Sequence, residues 1–313
     1  MRLLVGVTVA LLAGCGNVHP ADPDGPIADA PVADAPVDTG VDAGAPACWI
    51  DLVSGMDDSC GVRGDGTIVC WGSSASNEAT SPGGTGYTRV SLGLSHSCAL
   101  RTDDTATCWG DNSQGQLNVP DGKYRQISAG AEYTCAVKMD NTLACWGKAN
   151  MVTAAVPTGT YQSVRSGEYF ACAIKTTGGL YCWGENRNGV LAVPTTGNYA
   201  QVELSIAHVC ARSTAGSLRC WGASITTAPP SGSFSTVGVG FRHACAIRSD
   251  DSTIVCWQEG TGRPEANPPE GTYVSLASGY AHSCARSTED RVVCWGAATP
   301  DGRTRPPLDG SCP

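Results

Sequence analysis

The sequence predicts an all-β fold made of one antiparallel unit repeated seven times, and three observations predict it. At seven places a cysteine is followed ten or eleven positions later by a Cys-Trp dipeptide, and the first cysteines of these pairs are 35 to 39 residues apart. Each unit contains stretches of alternating polarity, typical of half-buried strands, with turn-forming residues between them. Seven units lie within the four to eight blades common in closed β-propellers. The sequence therefore predicts a seven-bladed β-propeller.

The first strand of each unit begins at an aromatic residue. From Tyr124 to Gly130 the chain alternates with a period of two, as in a strand that packs one face against a core. The same position is aromatic in every unit: Trp49, Tyr87, Tyr124, Tyr161, Tyr199, Phe234 and Tyr273. We therefore expect seven equivalent first strands.

The second and third strands are expected to form a hairpin that carries the paired cysteines. The second strand contains the first cysteine, as in Cys98-Ala99-Leu100, and the third contains the Cys-Trp dipeptide. Turn-forming dipeptides separate the two strands: Asp65-Gly66, Asp103-Asp104, Asp140-Asn141 and Asp250-Asp251. A separation of ten residues lets the two cysteines face one another across the ladder, within the Cα spacing that a disulfide tolerates.

This arrangement predicts seven cross-strand disulfides. The pairs are Cys60 with Cys70, Cys98 with Cys108, Cys135 with Cys145, Cys172 with Cys182, Cys210 with Cys220, Cys245 with Cys256, and Cys284 with Cys294. The longer interval between Cys245 and Cys256 requires one additional loop residue or a bulge. A zinc site is the weaker interpretation, because structural zinc sites usually place cysteines two to four residues apart.

Three strands leave part of each unit unassigned. The segment after the tryptophan is expected to supply a fourth strand, so that each blade is a four-stranded antiparallel sheet. A ring and a straight rod then differ in where they place the chain ends. Cys312 lies where the aromatic residue of an eighth unit would stand. Cys48 directly precedes the aromatic residue of the first unit, Trp49. A ring brings the two together, and we predict that a Cys48–Cys312 disulfide seals it.

Two segments that follow the tryptophan share a motif. Trp109–Leu117 and Trp183–Leu191 both read Trp-Gly-x-Asn-x-x-Gly-x-Leu, and Gly93–Leu100 reads Gly-Leu-Ser-His-Ser-Cys-Ala-Leu. These motifs resemble the repeats of the regulator of chromosome condensation family, whose fold is a seven-bladed β-propeller. The resemblance extends over residues 48–313, although five units lack the Asn-x-x-Gly-x-Leu part. Beta-lactamase inhibitor protein II, a bacterial propeller of similar architecture, acts by docking on a protein.

The N-terminal region differs in composition from the repeats. An apolar stretch ends in Leu-Ala-Gly-Cys at Cys15, which predicts a lipoprotein signal peptide over residues 1–14 and lipidation of Cys15. An ordinary signal peptide with a chance cysteine is the alternative. Residues 15–47 are expected to be a disordered tether, because Ala, Asp, Pro, Val and Gly dominate them. The propeller then spans residues 48–313, and export supplies the oxidising compartment in which disulfides persist.

The charge balance argues against two classes of partner. The chain has 20 Lys and Arg against 29 Asp and Glu, a formal net charge of −9, and no cluster of basic residues. Nucleic acids and anionic lipid surfaces attract concentrated positive charge. We therefore expect no nucleic acid partner and no membrane contact except through the Cys15 lipid. The protein is further expected to be a monomer without a cofactor, located in the bacterial cell envelope, in the periplasm or at the cell surface.

Four histidines recur two residues before the first cysteine and are the obvious candidate ligands: His96, His208, His243 and His282. The same position holds Asp58, Tyr133 and Phe170 in the other units, and a phenylalanine there favours packing over metal binding. The recurrent tryptophans favour a core role over a sugar-binding platform. The His-Ser-Cys triplets do not supply a nucleophile, because their cysteines are expected to be oxidised. No catalytic, cofactor or metal residues are predicted.

These observations favour a binding scaffold over a catalyst. We expect an envelope lipoprotein whose disulfide-braced propeller presents a loop-bearing face to another protein or to a surface polymer. A hydrolase or lyase with its site at the channel mouth is the alternative, and its signature is an acidic residue or histidine found in only one or two units. Glu168, Glu185 and Glu203 are such residues. A purely structural envelope component is the third interpretation.

Overall fold

The computed structural model describes residues 49–73, 79–223, 228–258 and 262–297 together with Thr304 and Pro306. The predicted signal peptide and tether, the lipidation site Cys15 and the predicted Cys48–Cys312 disulfide lie outside these residues. Three successive strands form each of seven antiparallel sheets, so every sheet is built from one sequence unit without exchange between units. The sheets are numbered blade 1 to blade 7 in chain order.

The strands have the same length at equivalent positions of every blade. The first strands are β1 (Trp49–Ser54), β4 (Tyr87–Leu92), β7 (Tyr124–Ala129), β10 (Tyr161–Ser166), β13 (Tyr199–Leu204), β16 (Phe234–Val239) and β19 (Tyr273–Ser278). The second strands are β2 (Asp58–Arg63), β5 (His96–Arg101), β8 (Tyr133–Lys138), β11 (Phe170–Lys175), β14 (His208–Ser213), β17 (His243–Arg248) and β20 (His282–Ser287). The third strands are β3 (Ile68–Gly72), β6 (Ala106–Gly110), β9 (Leu143–Gly147), β12 (Leu180–Gly184), β15 (Leu218–Gly222), β18 (Ile254–Gln258) and β21 (Val292–Gly296).

Three helical segments connect blades: α1 (Met151–Ala154) and the 3₁₀ turns Arg187–Gly189 and Pro264–Ala266. Asn150 caps α1, since its side chain accepts from the backbone of Val152 and Thr153. In the described part of the chain, no helix has both the length and the apolar character needed to cross a bilayer.

The aromatic residue that opens each first strand is buried. Its exposed fraction is between 0% and 5% in all seven blades. In blade 3 the Tyr124 hydroxyl donates to Pro120 O at 2.7 Å, which satisfies the polar end of the ring. A register shift follows the aromatic residue, between Tyr124 and Gln126, so the next residue, Arg125, points to solvent. After this shift Ile127 is again buried, whereas Gln126 is half-buried.

The second and third strands of each blade form the predicted hairpin, in which the two cysteines lie directly opposite. All seven pairs are bonded, with Cα–Cα distances of 4.0 to 4.1 Å. In blade 6 the additional residue lies in the turn, because Arg248 N–H binds Thr253 O, whereas Arg101 in blade 2 binds Thr105 O. Seven disulfides indicate an oxidising, extracellular environment.

The prediction of a fourth strand is wrong for the described residues, in which every blade has three. Where it is described, the chain after the third strand forms turns or the short helical segments and makes no further ladder. These segments end near Pro120, Pro157 and Pro194. Proline lacks the N–H that a ladder needs, so the descending chain cannot pair continuously.

The segment after the third strand instead accepts a hydrogen bond from the next blade. An indole N–H donates to one of its carbonyl groups in four places: Trp146 to Gln116 (3.0 Å), Trp183 to Val152 (3.1 Å), Trp221 to Val190 (2.8 Å) and Trp295 to Glu265 (3.0 Å). These four tryptophans hold the connecting segments, and a tryptophan packs in each cluster between blades, which confirms the predicted core role.

The hydrophobic cores lie between blades. In one cluster Tyr133 and Val137 of blade 3 pack against Val164, Ala173 and Trp183 of blade 4. Six further clusters repeat this arrangement around the molecule. Each blade is therefore stabilised by its neighbours as well as by its own hairpin.

Blade 7 contacts blade 1 and closes the ring. Trp49 and Trp71 of blade 1 share a cluster with Ala277 of blade 7. Tyr280 N–H of blade 7 donates to Gly55 O of blade 1 at 3.2 Å. The molecule is therefore a seven-bladed propeller and not a rod, and the ring closes through noncovalent contacts. The additional Cys48–Cys312 bond stays a prediction.

Candidate binding site at the channel mouth

The first strands of the seven blades surround a central channel. Its cavity volume is about 390 Å³, and the third and fifth residues of these strands supply most of its polar lining. A second cavity of about 170 Å³ opens where each first strand turns into the second strand. This end is here termed the mouth, and the opposite end of the channel the far end.

Seven turns, one from each blade, build the mouth. Each turn is fixed by a backbone N–H that binds the carbonyl three residues later, as from Gly93 to His96 at 2.8 Å. The second residue of the turn lines the mouth cavity. These residues, here termed the mouth ring, are Met56, Leu94, Ala131, Glu168, Ile206, Phe241 and Tyr280. Six of the seven are apolar or aromatic.

Part of the mouth ring is open to solvent. Leu94 and Tyr280 are 41% and 37% exposed. Phe241 and Tyr280 stack with their ring centroids 4.4 Å apart, and the Arg242 guanidinium carbon lies 5.2 Å from the centroid of the Phe241 ring. Contiguous exposed apolar groups on a folded protein often mark a binding surface.

A second ring of side chains lies between the mouth and the channel and lines both cavities. These sixth residues of the first strands, here termed the neck, are Ser54, Leu92, Ala129, Ser166, Leu204, Val239 and Ser278. All seven are uncharged. A group that enters the mouth therefore meets uncharged surface before it reaches the charged part of the channel.

Several polar residues of the channel stabilise its own wall. A first strand is the inner edge of its sheet, so its backbone groups need partners from outside the sheet. Gln126 supplies them to the next blade: its Nε2 donates to Val164 O at 2.9 Å, and its Oε1 accepts from Val164 N–H at 2.7 Å. Gln201 binds Val237 in the same way, at 2.8 and 3.2 Å. The fold accounts for these glutamines.

Besides Arg286, which pairs with Asp290 at 2.9 Å, four charged residues line the channel where five of the seven blades have neutral residues: Asp51, Arg89, Arg165 and Glu203. Arg165 Nε pairs with Glu203 Oε2 at 3.0 Å, and the carboxylate raises the pKa of Arg165. Burial raises the pKa of Asp51, although the Val90 N–H and the charges of Arg89 and Arg165 oppose this shift. The first strands thus bring two positive and two negative groups into the channel that the repeat does not require.

The four recurrent histidines lie in the interfaces between blades and are 0% or 1% exposed. Nε2 of three of them binds a hydroxyl of the next blade: His96 with Thr134 (2.8 Å), His243 with Ser283 (2.8 Å) and His282 with Ser59 (2.9 Å). His208 Nδ1 binds the Ser205 hydroxyl of its own blade at 2.7 Å. Each imidazole therefore has a local partner, as a packing residue requires.

The partner position shows why a phenylalanine is tolerated among the histidines. Where Phe170 replaces histidine, the next blade has Val209 in place of a hydroxyl-bearing residue. Where Tyr133 replaces it, the next blade has Ala171, and the tyrosine hydroxyl donates to Phe170 O at 2.8 Å. A hydroxyl therefore stands opposite the three histidines that bond across the interface, whereas Phe170 stands opposite the apolar Val209.

The electrostatics of the histidines agree with this packing role. Burial lowers the pKa of His96 and His208 to about 4 and that of His243 to about 3, so these three imidazoles are neutral near pH 7. Over the described ranges, no group of three or more His, Cys, Asp and Glu side chains is arranged to hold a metal ion.

The three acidic residues proposed as a signature of catalysis lie in different places. Glu168 belongs to the mouth ring. Glu203 lies in the channel and pairs with Arg165. Glu185 pairs with Arg187 at 2.7 Å and lines neither cavity. The structure does not bring them together as an acid–base pair.

The far side of the disc is formed by regular hairpin turns between second and third strands. Asp65 Oδ1 accepts from Thr67 N–H at 2.8 Å, and the same bond joins Asp103 to Thr105, Asp140 to Thr142 and Asp251 to Thr253. Hydrogen bonds from these threonines lower the pKa of the four carboxyl groups. The aspartates are turn formers, as the sequence predicts.

Sequence reasoning does not single out the mouth ring, although a signal is present. The residue four positions before the first cysteine is apolar or aromatic in six of the seven units, in a turn that would ordinarily be polar. The channel charges leave a different signal, because they stand at strand positions that are neutral in the other five units. Both features become visible only when equivalent positions of the units are compared and their location at the mouth or in the channel is known.

Three segments of the chain match the family model of the Regulator of chromosome condensation (RCC1) repeat: residues 87–116, 161–190 and 273–299. Each matched segment begins at the aromatic residue of a first strand, in blades 2, 4 and 7. The expected resemblance is therefore confirmed for these three units. No curated protein sequence matches the chain significantly.

Solved structures share the fold. The CRINKLY WD40 ectodomain of the Arabidopsis thaliana receptor kinase ACR4 is 24% identical, over 81% of this chain and 99% of that chain, with a TM-score of 0.67. The ectodomain of the Physcomitrella patens receptor kinase CR4 is 22% identical, over 80% and 74%, with a TM-score of 0.65. Prp20p from Saccharomyces cerevisiae, studied with Gsp1p and histones, is 14% identical, over 80% and 82%, with a TM-score of 0.57. At these identities the similarity concerns the fold.

Proposed function

We propose that the protein is a binding scaffold of the bacterial cell envelope, in which the mouth of the propeller receives a protruding segment of another protein. The mouth ring, with its exposed Leu94 and Tyr280, carries this proposal. It combines six apolar or aromatic side chains with one carboxylate, Glu168, around a cavity of about 170 Å³. The complementary partner presents an apolar side chain for the cavity and a basic group for Glu168.

The rigidity of the mouth supports a binding role. Its turns are short, are fixed by backbone hydrogen bonds and lie at the ends of disulfide-linked hairpins. A surface that is ordered before binding loses little conformational entropy on association. Phe241 and Tyr280 add two aromatic side chains, a residue class enriched at the centres of protein interfaces.

A protein partner is consistent with what is known of propellers with this fold. Yeast RCC1 (Prp20) has been crystallised bound to Kap60. At 14% sequence identity, the partner of Prp20 does not identify the partner of the present chain. The likeness supports only the general role of a protein-binding disc.

The anchor is part of the proposal. Lipidation of Cys15 after removal of residues 1–14 would attach the protein to a membrane, and residues 15–47 would act as a tether. At about 3.1 Å per residue the tether reaches at most on the order of 100 Å. Replacement Cys15→Ala is expected to move the protein from the membrane fraction to the soluble fraction, and mass spectrometry of the wild-type N-terminus is expected to find acyl chains. An unmodified N-terminus in a membrane-free fraction would contradict the anchor without affecting the mouth.

The binding role is tested with two matched double variants. Leu94→Ser/Tyr280→Ser removes two exposed side chains of the mouth ring, and Met139→Ser/Tyr181→Ser removes two side chains of similar exposure, 49% and 40%, that line neither cavity. A partner captured from envelope extracts by the wild-type protein is identified, purified and titrated against each variant. The mouth variant is expected to bind at least tenfold more weakly, and the control as tightly as wild type.

The charge of the mouth provides an independent arm. Because Glu168 is the single acidic member of the mouth ring, Glu168→Lys is expected to weaken binding of the same purified partner and to reverse its salt dependence. Equal affinity of the mouth variant and the control variant would contradict the proposed site. Capture of a polysaccharide in place of a protein would contradict the proposed class of partner.

A further inference from the structure

The charged residues of the channel are not explained by the propeller repeat. At the third position of the first strands, blades 1 and 2 carry Asp51 and Arg89, where the other five blades carry Gln, Ser or Thr. At the fifth position, blades 4 and 5 carry Arg165 and Glu203, where the others carry Val, Ser, Gly or Ala. Blades with neutral residues at these positions have the same strands and the same register, so the charges are not needed for folding.

One of the two oppositely charged pairs is satisfied within the protein. Arg165 Nε contacts both carboxylate oxygens of Glu203, at 3.1 and 3.0 Å, and Gln201 Nε2 donates to Glu203 Oε1 at 3.1 Å. The two charges neutralise one another at contact distance. This pair therefore forms a fixed, neutral part of the channel wall.

The other pair is not satisfied. Within the described part of the chain, the Arg89 guanidinium forms no hydrogen bond or ion pair, although it is exposed to the channel and interacts electrostatically with Asp51. Asp51 Oδ2 accepts one hydrogen bond, from Val90 N–H at 3.0 Å. Burial raises the pKa of Asp51 in spite of both arginines, so its carboxylate gains from a further cationic partner. Ser275 Oγ, also in the channel, is buried without a partner.

We propose that the channel binds a small zwitterion of the α-amino acid type, with its carboxylate on the Arg89 guanidinium and its ammonium group on the Asp51 carboxylate. A zwitterion satisfies both groups at once, whereas a simple anion or cation is repelled by one of them. The two side chains do not pair with each other, so a ligand with separated charges can bridge them.

The surroundings define the rest of the ligand. Leu92, Leu204 and Val239 form the apolar part of the neck at the mouth end of the channel, which suits an apolar side chain. The volume of about 390 Å³ lies within the range of small-molecule sites. Ile50 and Val274 line the channel at its far end and are 52% and 50% exposed. The far end therefore provides an entrance when the mouth is occupied by a protein. For this reason the inference does not depend on the proposed function.

The test uses the full-length protein and three probes with the same carbon skeleton. L-leucine carries both charges, 4-methylpentanoate carries the carboxylate alone, and 3-methylbutylamine carries the ammonium alone. Isothermal titration at pH 7 is expected to detect leucine, with each single-charge analogue at least tenfold weaker, because each leaves one of the two channel charges without a partner.

Three variants assign the binding to the channel. Arg89→Gln and Asp51→Asn are each expected to weaken leucine binding at least tenfold, and Asp51→Asn keeps an oxygen for the Val90 N–H. Arg125→Gln is the control, because Arg125 is exposed beside the channel residue Gln126 but lines neither cavity. Near-ultraviolet circular dichroism verifies that every variant is folded.

Each other outcome overturns the inference. Equal affinity for leucine and 4-methylpentanoate would show a simple anion site. Binding of leucine that survives both Arg89→Gln and Asp51→Asn would place it elsewhere on the protein. Failure of leucine to bind the folded wild-type protein at about 10 mM would exclude an α-amino acid ligand of this size.

Discussion

The interfaces between blades and the wall of the channel are built from the same seven units, but they follow the repeat to different degrees. Every interface contains the buried aromatic residue, the cystine and a tryptophan. Along the channel the third residue of the first strand is Asp, Arg, Gln, Ser, Gln, Thr and Ser from blade 1 to blade 7. The interfaces are constrained by close packing, whereas the channel wall has space for variation.

This difference separates the residues that form the disc from the residues available for binding. A change in an interface alters contacts with the neighbouring blade, so we expect it to reduce stability. A change in a solvent-facing side chain of the mouth ring, or in an unpaired channel residue such as Arg89, is expected to alter binding and to leave the fold intact. The following predictions test this separation.

Reduction of the disulfides is expected to have the largest effect. Each bond closes a loop of ten or eleven residues, worth about 2.5 to 3 kcal/mol in the chain-entropy model. Seven such terms together exceed the roughly 5 to 15 kcal/mol by which domains are normally stable. We expect the reduced and alkylated protein to be unfolded in the absence of denaturant, as measured by tryptophan fluorescence. Protein treated with the alkylating agent alone is the control, and an unchanged urea midpoint after full reduction would refute the expectation.

Acid is expected to destabilise the interfaces next. The pKa of His96 and His208 is lowered from about 6.5 to about 4, so the unfolded chain binds more protons than the folded chain between these values. The contribution of each neutral histidine to the free energy of unfolding is therefore fully present above pH 6.5. It is lost as the pH falls towards 4, by about 3 kcal/mol for each histidine. Urea unfolding at a series of pH values measures this loss.

Two variants assign part of the acid sensitivity to His96: the double variant His96→Phe/Thr134→Val and the single variant His96→Phe. The double variant reproduces the apolar interface that Phe170 and Val209 already form, so we expect it to fold and to lose less stability in acid. The single variant leaves the Thr134 hydroxyl buried without its partner, a cost of about 1 to 3 kcal/mol. An acid profile of the double variant identical to wild type would remove His96 as a cause.

Two glycines distinguish an interface from a surface turn. A Cβ atom at Gly279 would collide with Gly55 O of the next blade and with the His282 ring, whereas a Cβ at Gly179 meets no atom within 4 Å. We expect Gly279→Ala to cost about 1 to 3 kcal/mol by overpacking. Gly179→Ala is expected to stay within about 0.5 kcal/mol of wild type. Equal unfolding midpoints for the two variants would contradict the close approach of blades 7 and 1.

The smallest effect on stability is expected in the channel. Arg89 makes no hydrogen bond or ion pair with the described residues, so Arg89→Gln removes no contact that supports the fold. We expect its urea midpoint to match wild type within about 0.5 kcal/mol. A loss above 2 kcal/mol would show that this charge is structural and would weaken the separation between interface and channel.

The fold was predictable from the sequence because its determinants are periodic. The Cys-Trp pairs, the aromatic residues such as Tyr124 and the Asp turns such as Asp140 each recur at a fixed phase, and each has a local physical reason. The fourth strand was not predictable in this way. In the described segments a fourth strand is absent because of the prolines that follow the third strand and because of indole hydrogen bonds between different blades, such as Trp183 to Val152.

The candidate sites were less predictable for a different reason. Leu94 and Tyr280 belong to turns of different blades, and only the ring closure brings such turns around one opening. Asp51 and Arg165 are far apart in sequence, yet their charges interact inside the channel. A single sequence shows which position of the repeat a residue occupies. It does not show which residues of other units face it across the ring.

The locality of the seven disulfides has a consequence for how such a protein can change over evolutionary time. Each bond lies within a single unit, between cysteines ten or eleven residues apart. Duplication or deletion of one unit therefore adds or removes both sulfur atoms together and leaves no orphan thiol to be scrambled during oxidation. The number of blades is free to vary by recombination without any redesign of the cystine pattern.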